Sequence, residues 1–122
     1  MDDLAIDPDS AVPPFEQLRT HIATQVARGS LPPGTRLGTV RQVAADLGLA
    51  VNTVARAYRE LEADGVVVTR GRGGTFVASA VVDSPSDAGV AAREAAATFV
   101  RSVRRLGLSC PEAVRLVEQH WA

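Results

Sequence analysis

Apolar residues along this chain recur first at the spacing of a helix. Pro14, whose fixed φ suits a first helical turn, precedes Phe15, Leu18, Ile22 and Val26, and the series stops at Gly29. The stretch SLPPGTRLG that follows is dense in proline and glycine and reads as a turn-rich loop. Thr39 and Gln42 stand at capping-box spacing, so a short second helix is expected, with Val40, Val43, Ala44 and Leu47 on one stripe and Gly48 as its stop. Only GLAV separates it from a third helix over Asn52–Asp64, where Val54, Ala57, Tyr58 and Leu61 fall at i, i+3, i+4 and i+7. Gly65 closes that helix.

The period then changes from helix to strand. VVVT and TFVA are β-branched runs separated by RGRGG, the pattern of an antiparallel hairpin with arginines on a glycine-permissive tip. Residues 79–89, with Ser, Asp, Pro and Gly, read as a linker. Beyond it Ala92, Ala96, Phe99, Val103 and Leu106 alternate spacings of four and three, a short heptad seam. A second capping box, Ser109 with Glu112, starts a last helix whose Val114, Val117 and Trp121 share a side. Two such helices cannot bury both apolar faces alone, so packing against a second copy is expected, with these eight residues at a twofold interface. The predicted fold is mainly α with a small β-hairpin: an acidic disordered leader over 1–12, a winged helix-turn-helix domain over 13–78, and a two-helix dimerisation tail over 90–122.

Charge sharpens this division. The net charge is -1, but 1–12 carries four aspartates and no base, 13–78 carries eight arginines against five acids, and 79–122 carries five of each. All 13 basic residues are arginine, the side chain suited to bidentate phosphate and guanine contacts. The apolar runs are far shorter than the roughly 20 residues a membrane span needs, and the acidic start lacks the features of a signal peptide. A soluble, cytoplasmic protein without membrane contact is expected. Cys110 is the single cysteine, which excludes an intramolecular disulfide and a thiolate zinc cage.

Opposite the apolar stripe of the third helix lie Asn52, Arg56 and Arg59. A winged helix-turn-helix places such a face in the major groove, where Asn pairs bidentately with adenine and Arg meets guanine or phosphate. Arg41, at the start of the preceding helix, suits a phosphate, and Arg70 and Arg72 add a contact line on the hairpin tip. The plainer reading of Asn52, Arg56 and Arg59 is a solvated helix face.

These residues resemble the GntR family of bacterial regulators, whose phrases PG-x-L-PS-x-R, LA-x-x-LGV, NTV-x-x-A-Y-x-x-L and G-x-GTFV are matched here in order by PPGTRLGTVRQVAADLGL, NTVARAYRELEADGVV and RGRGGTFVA. The likeness covers about residues 13–78, and the short tail with RLGLS between its helices is similar to the YtrA-like subfamily. The resemblance implies that Arg41 meets DNA at the second helix, that Asn52, Thr53 and Arg56 lie in the recognition helix, and that Gly71, Arg72 and Gly73 form a wing tip laid in the minor groove. Gly38-Thr39 departs from the usual Pro-Ser, Ala50-Val51 stands where many relatives have Ser-Arg, and Ala55 replaces a further arginine.

Other chemistry finds no support. RGRGGT precedes a strand, whereas a phosphate-binding loop opens a helix. His21 and His120 have no companions at metal spacing, and no nucleophile, base and orienter set can be assembled, so neither an enzyme nor a cofactor is expected. The functional expectation is a homodimeric regulator, read as a repressor, on a double-stranded inverted-repeat DNA operator, released by a small-molecule effector at the dimer interface or its junction with the winged domain. The alternative is a winged-helix protein-interaction adaptor, which lacks the steep salt dependence of phosphate binding.

Overall fold

The computed structural model describes residues 4–80 and 82–121, apart from the side chain of Arg72. The chain divides between Ser79 and Ala80 into two compact units.

In the first unit, α1 (Pro14–Ala27), α2 (Val40–Leu47) and α3 (Val51–Ala63) precede a hairpin of β1 (Val67–Thr69) and β2 (Thr75–Val77). The apolar stripes read from the sequence meet in one core, with Leu18, Ile22, Val54, Ala57, Leu61, Val67 and Val77 nearly or wholly shielded from solvent. α1 and α2 both pack on α3, so α3 is held by the core along one side only. The Thr39 hydroxyl accepts from the Gln42 N–H while the Gln42 side chain accepts from the Thr39 N–H, closing the expected capping box. Gly48 then ends α2 in the left-handed conformation, φ 67°, which a side chain would strain. α3 begins at Val51, one residue ahead of the expected Asn52, with Ala50 at its N-cap.

The hairpin pairs Val67 with Val77, Val68 with Phe76 and Thr69 with Thr75. A short 3-10 turn, Gly71–Gly73, crosses its tip. The loop expected over SLPPGTRLG is more ordered than its Pro and Gly content suggests, because residues 34–37 lie along β2. Gly34 N–H donates to the Val77 carbonyl, Val77 N–H to Thr35, and Leu37 N–H to Thr75, at 2.8–2.9 Å. Arg36 thereby stands opposite Phe76.

Composition suggested disorder in the leader; the structure gives residues 4–12 specific partners. Gln17 of α1 accepts from the Asp7 N–H and donates to the Asp7 and Val12 carbonyls, and Leu4 packs on the core. Residues 1–3 lie outside the described part.

Tyr58 ties α3 to the segment before α2. It is 6% exposed, and its hydroxyl donates to the Gly38 carbonyl at 2.6 Å. Burial pushes its pKa from 10.0 up to about 12. Between those values the unfolded chain releases the proton while the folded chain keeps it, so stability is full below about pH 10 and falls as pH rises toward 12, by roughly 2 kcal/mol in all. Tyr58→Phe is expected to cost about 1 kcal/mol at neutral pH, through the lost donor, and to abolish this alkaline fall. Urea denaturation at a series of pH values checks both, and a fall of the same size in the variant would assign it to other groups.

The second unit holds α4 (Asp87–Arg105) and α5 (Cys110–Trp121). α4 starts inside the expected linker because the Ser86 hydroxyl accepts from the Gly89 N–H and Asp87 sits in the first turn. From within the helix, Arg93 donates back to the carbonyls of Val82 and Ser84 ahead of it, at 2.6 and 2.8 Å. The second capping box forms as expected between Ser109 and Glu112, and those bonds hold the Glu112 carboxyl below its usual pKa. Among the described residues no helix is long and apolar enough to cross a membrane.

Candidate nucleic-acid interface

The surface of interest is the side of α3 that the core leaves uncovered. With Val54, Ala57, Tyr58 and Leu61 turned inward, Asn52, Arg56 and Arg59 fall on the outer side and are exposed, and Thr53 is half-buried. Val51 is 48% exposed and Ala55 half-buried on one flank. α2 sets the approach of this helix, and its own second residue, Arg41, is exposed beside the capped N-terminus.

Arg56 is not simply extended into solvent. Its guanidinium carbon lies 3.7 Å from the centre of the Phe15 ring on α1, and its Nε is 3.9 Å from a Glu60 carboxylate oxygen one turn on. Stacking of this kind at an exposed site is worth about 0.5–1 kcal/mol and the loose ion pair less, so the arginine is biased toward α1 without being locked there. Nearby, Glu16 and Arg19 form an ion pair one turn apart on α1, which lowers the Glu16 pKa chiefly through the Arg19 hydrogen bond, and Arg19 also comes within 4.0 Å of Asp64 at the end of α3. Phe15, Glu60 and Arg19 are the residues that sequence reasoning missed here. The signal for Glu60 was its place one turn after Arg56, while Phe15 was assigned wholly to the core.

The wing is a compact tip. Arg70 N–H donates to Gly74 at 2.8 Å and Gly73 N–H to Arg70 at 2.7 Å. Gly74 has φ 103°, a conformation that a side chain would strain, and a Cβ built on it would come 3.1 Å from Nε of the exposed Arg36, which places that side chain beside the tip. Arg36 thus joins Arg70, Gly71 and Gly73 at the wing, a fourth neighbour that the loop reading of 34–37 concealed. All four are exposed, whereas the Arg72 side chain lies outside the described part of the structure. The turn end of β1 is joined to α3 by a hydrogen bond from the Thr69 hydroxyl to Glu62. Helix and wing therefore belong to one body.

In the second unit the predicted seam is unevenly covered. Val103 is buried and Phe99 half-buried, but Ala92, Ala96, Val114 and Val117 are exposed, as are Leu106 at 77% and Trp121 at 84%. Phe99, Leu116, Val117, His120 and Trp121 line an open apolar groove of about 430 Å³. His120 Nδ1 lies 2.9 Å from the Leu116 carbonyl, a local helix contact.

Comparison with known proteins agrees with this geometry. The family described as "Bacterial regulatory proteins, gntR family" matches residues 14–77. The HTH-type transcriptional regulator Rv1152 of Mycobacterium tuberculosis is 51% identical over 112 residues, covering 92% of this chain and 88% of that one. Among solved structures, YtrA from Sulfolobus acidocaldarius, a GntR-family transcription factor, superposes with a TM-score of 0.60 at 25% identity over 98% of this chain and all of its own. The DNA-binding domain of AraR, in complex with operator ORX1, gives 0.55 at 26% identity over 62% of this chain and 93% of its own.

Proposed function

The chain belongs to the GntR family of bacterial regulatory proteins and is a transcriptional regulator with a winged helix-turn-helix DNA-binding domain, and from that premise we propose that it is a homodimeric cytoplasmic repressor of an inverted-repeat operator. The observation that carries this reading is the exposed outer side of α3, set in one compact unit with a glycine-built wing, in a domain similar to one solved on its operator. The family works by binding DNA, not by catalysis. Asn52 at the first turn of α3 reads an adenine edge, and Arg56 reaches a base after leaving the Phe15 ring. Thr53 and Arg59 meet the groove wall and a phosphate. Arg41 at the start of α2 takes a phosphate, while Arg70, Arg72 and the backbone of Gly71 and Gly73 follow the minor groove.

Two copies join through the tail, burying Ala92, Ala96, Phe99, Val103 and Leu106 of α4 with Val114, Val117 and Trp121 of α5. The exposure of Leu106 and Trp121 supports this, because side chains of that size left in water are unusual outside interfaces. A small-molecule effector would act on the apolar surface of the tail, at or beside the groove containing Phe99 and Trp121.

Binding of alanine variants to operator and scrambled DNA across a salt series tests the reading. Asn52→Ala is expected to cost on the order of 1–3 kcal/mol on operator and little on scrambled DNA. Arg41→Ala is expected to weaken both alike and to reduce the salt slope by about one unit per subunit. Equal losses on the two DNAs for Asn52→Ala would remove α3 as the reader, and a flat salt dependence would favour a protein-binding adaptor.

A further inference from the structure

The start of α3 breaks a local rule. A helix N-terminus favours Ser, Thr, Asp or Asn at the cap, yet Ala50 holds that position with no side-chain hydrogen bond, which forgoes about 1 kcal/mol. The next residue, Val51, is 48% exposed. Among the described residues of the first unit, Val12 of the leader is the only other large apolar side chain so exposed; the rest of that size are buried or half-buried. Departures of this kind tend to mark functional positions.

The surroundings of Val51 suggest what it meets. It lies in the first turn of the recognition helix, the part that enters a major groove deepest. Ala55, one turn on along the same flank, is too short to hold a base edge away from it. Asn52 and Arg59 border this flank, whereas Arg56, about 140° round the helix from Val51, is drawn to the Phe15 ring. A valine in a helix has essentially one rotamer, so its two methyl groups are fixed in advance of binding. The apolar feature a base pair presents in the major groove is the 5-methyl group of thymine.

We infer that Val51 packs against a thymine 5-methyl group in each half-site, next to the adenine taken by Asn52, so that the first turn of α3 selects A·T pairs by one methyl contact and one amide contact. This rests on the DNA-binding reading above and adds the chemistry of the bases read.

The test begins with the full-length protein and a random library of unmodified duplexes, in which thymine is the source of 5-methyl groups, and proceeds to single replacement of each selected thymine by deoxyuridine. One thymine per half-site is expected to respond, with binding weakened about threefold by the lost methyl and about tenfold when both half-sites are changed. Val51→Ala should bind the thymine and uracil duplexes alike at that position, and Val51→Ile should keep the difference. Thermal melting of both variants, unchanged for an exposed site, shows that they fold. If sequences are enriched but no thymine responds, or if Val51→Ala preserves the ratio, the methyl contact is wrong while the DNA reading stands. No enrichment at all would overturn both.

Discussion

Cut after Ser79, the protein is expected to fold, to sediment as a monomer, and to bind its operator on the order of 10²- to 10⁴-fold more weakly than the whole chain. Folding should survive because the first unit closes its own core: Leu18 and Ile22 of α1, Val54 and Leu61 of α3, and Val67 and Val77 of the hairpin are sealed by one another. The affinity should not survive, because under the proposed dimer the second recognition helix binds at the effective concentration set by the first. Cutting the tail leaves each contact of a half-site intact and removes only that advantage. Sedimentation of the two forms, with titration on one and two half-sites, separates the effects: the forms should differ greatly on the full operator and little on a single half-site. A truncated protein that sediments as a dimer would move the interface out of α4 and α5.

The elements legible in the sequence are those in which a local rule and the core asked for the same residue. Thr39, Gln42 and Gly48 fix α2 from both ends by hydrogen bonding and by φ, and the stripe of Val54, Ala57, Tyr58 and Leu61 serves the helix period and the core together. What escaped were contacts between segments distant in sequence. The pairing of residues 34–37 with β2 uses backbone groups alone, so Pro and Gly in PPGTRLG pointed to a loop although the strand beside it supplied the partners. Gln17, on the surface of α1, gave no sign that it would fasten residues 7–12. The outward set of α3 was readable from the helical wheel, since Asn52, Arg56 and Arg59 are all exposed. The bias of Arg56 was not, because it depends on where α1 places Phe15. Ser86 did carry a signal for the start of α4, but Pro and Gly nearby outweighed it in the linker reading.

Leu61→Ala is expected to be the most damaging single substitution in the DNA-binding unit, lowering its stability by about 2–5 kcal/mol. Leu61 is wholly buried on the side of α3 that faces the core, and its carbonyl accepts the Val66 N–H at 2.9 Å where the chain turns from helix to strand. Truncation leaves a cavity at the point that positions both the recognition helix and the hairpin. A unit of this size has only roughly 4–10 kcal/mol to lose, so a large share of its stability goes and the melting temperature should drop by about 10 °C or more. Leu61→Met, which keeps the volume, should cost less than about 1.5 kcal/mol. Any weakening of DNA binding by Leu61→Ala should come through depletion of the folded form and not through lost contacts. Operator at about 100 times its dissociation constant should therefore restore about 2.7 kcal/mol of apparent stability, and shift the variant's melting upward by linkage. Asn52→Ala is the contrasting case, with normal melting in the absence of DNA and a smaller shift on adding operator. Thermal melts of the three variants with and without operator decide the matter: a Leu61→Ala protein that melts with the wild type would show that α3 is not held by this residue.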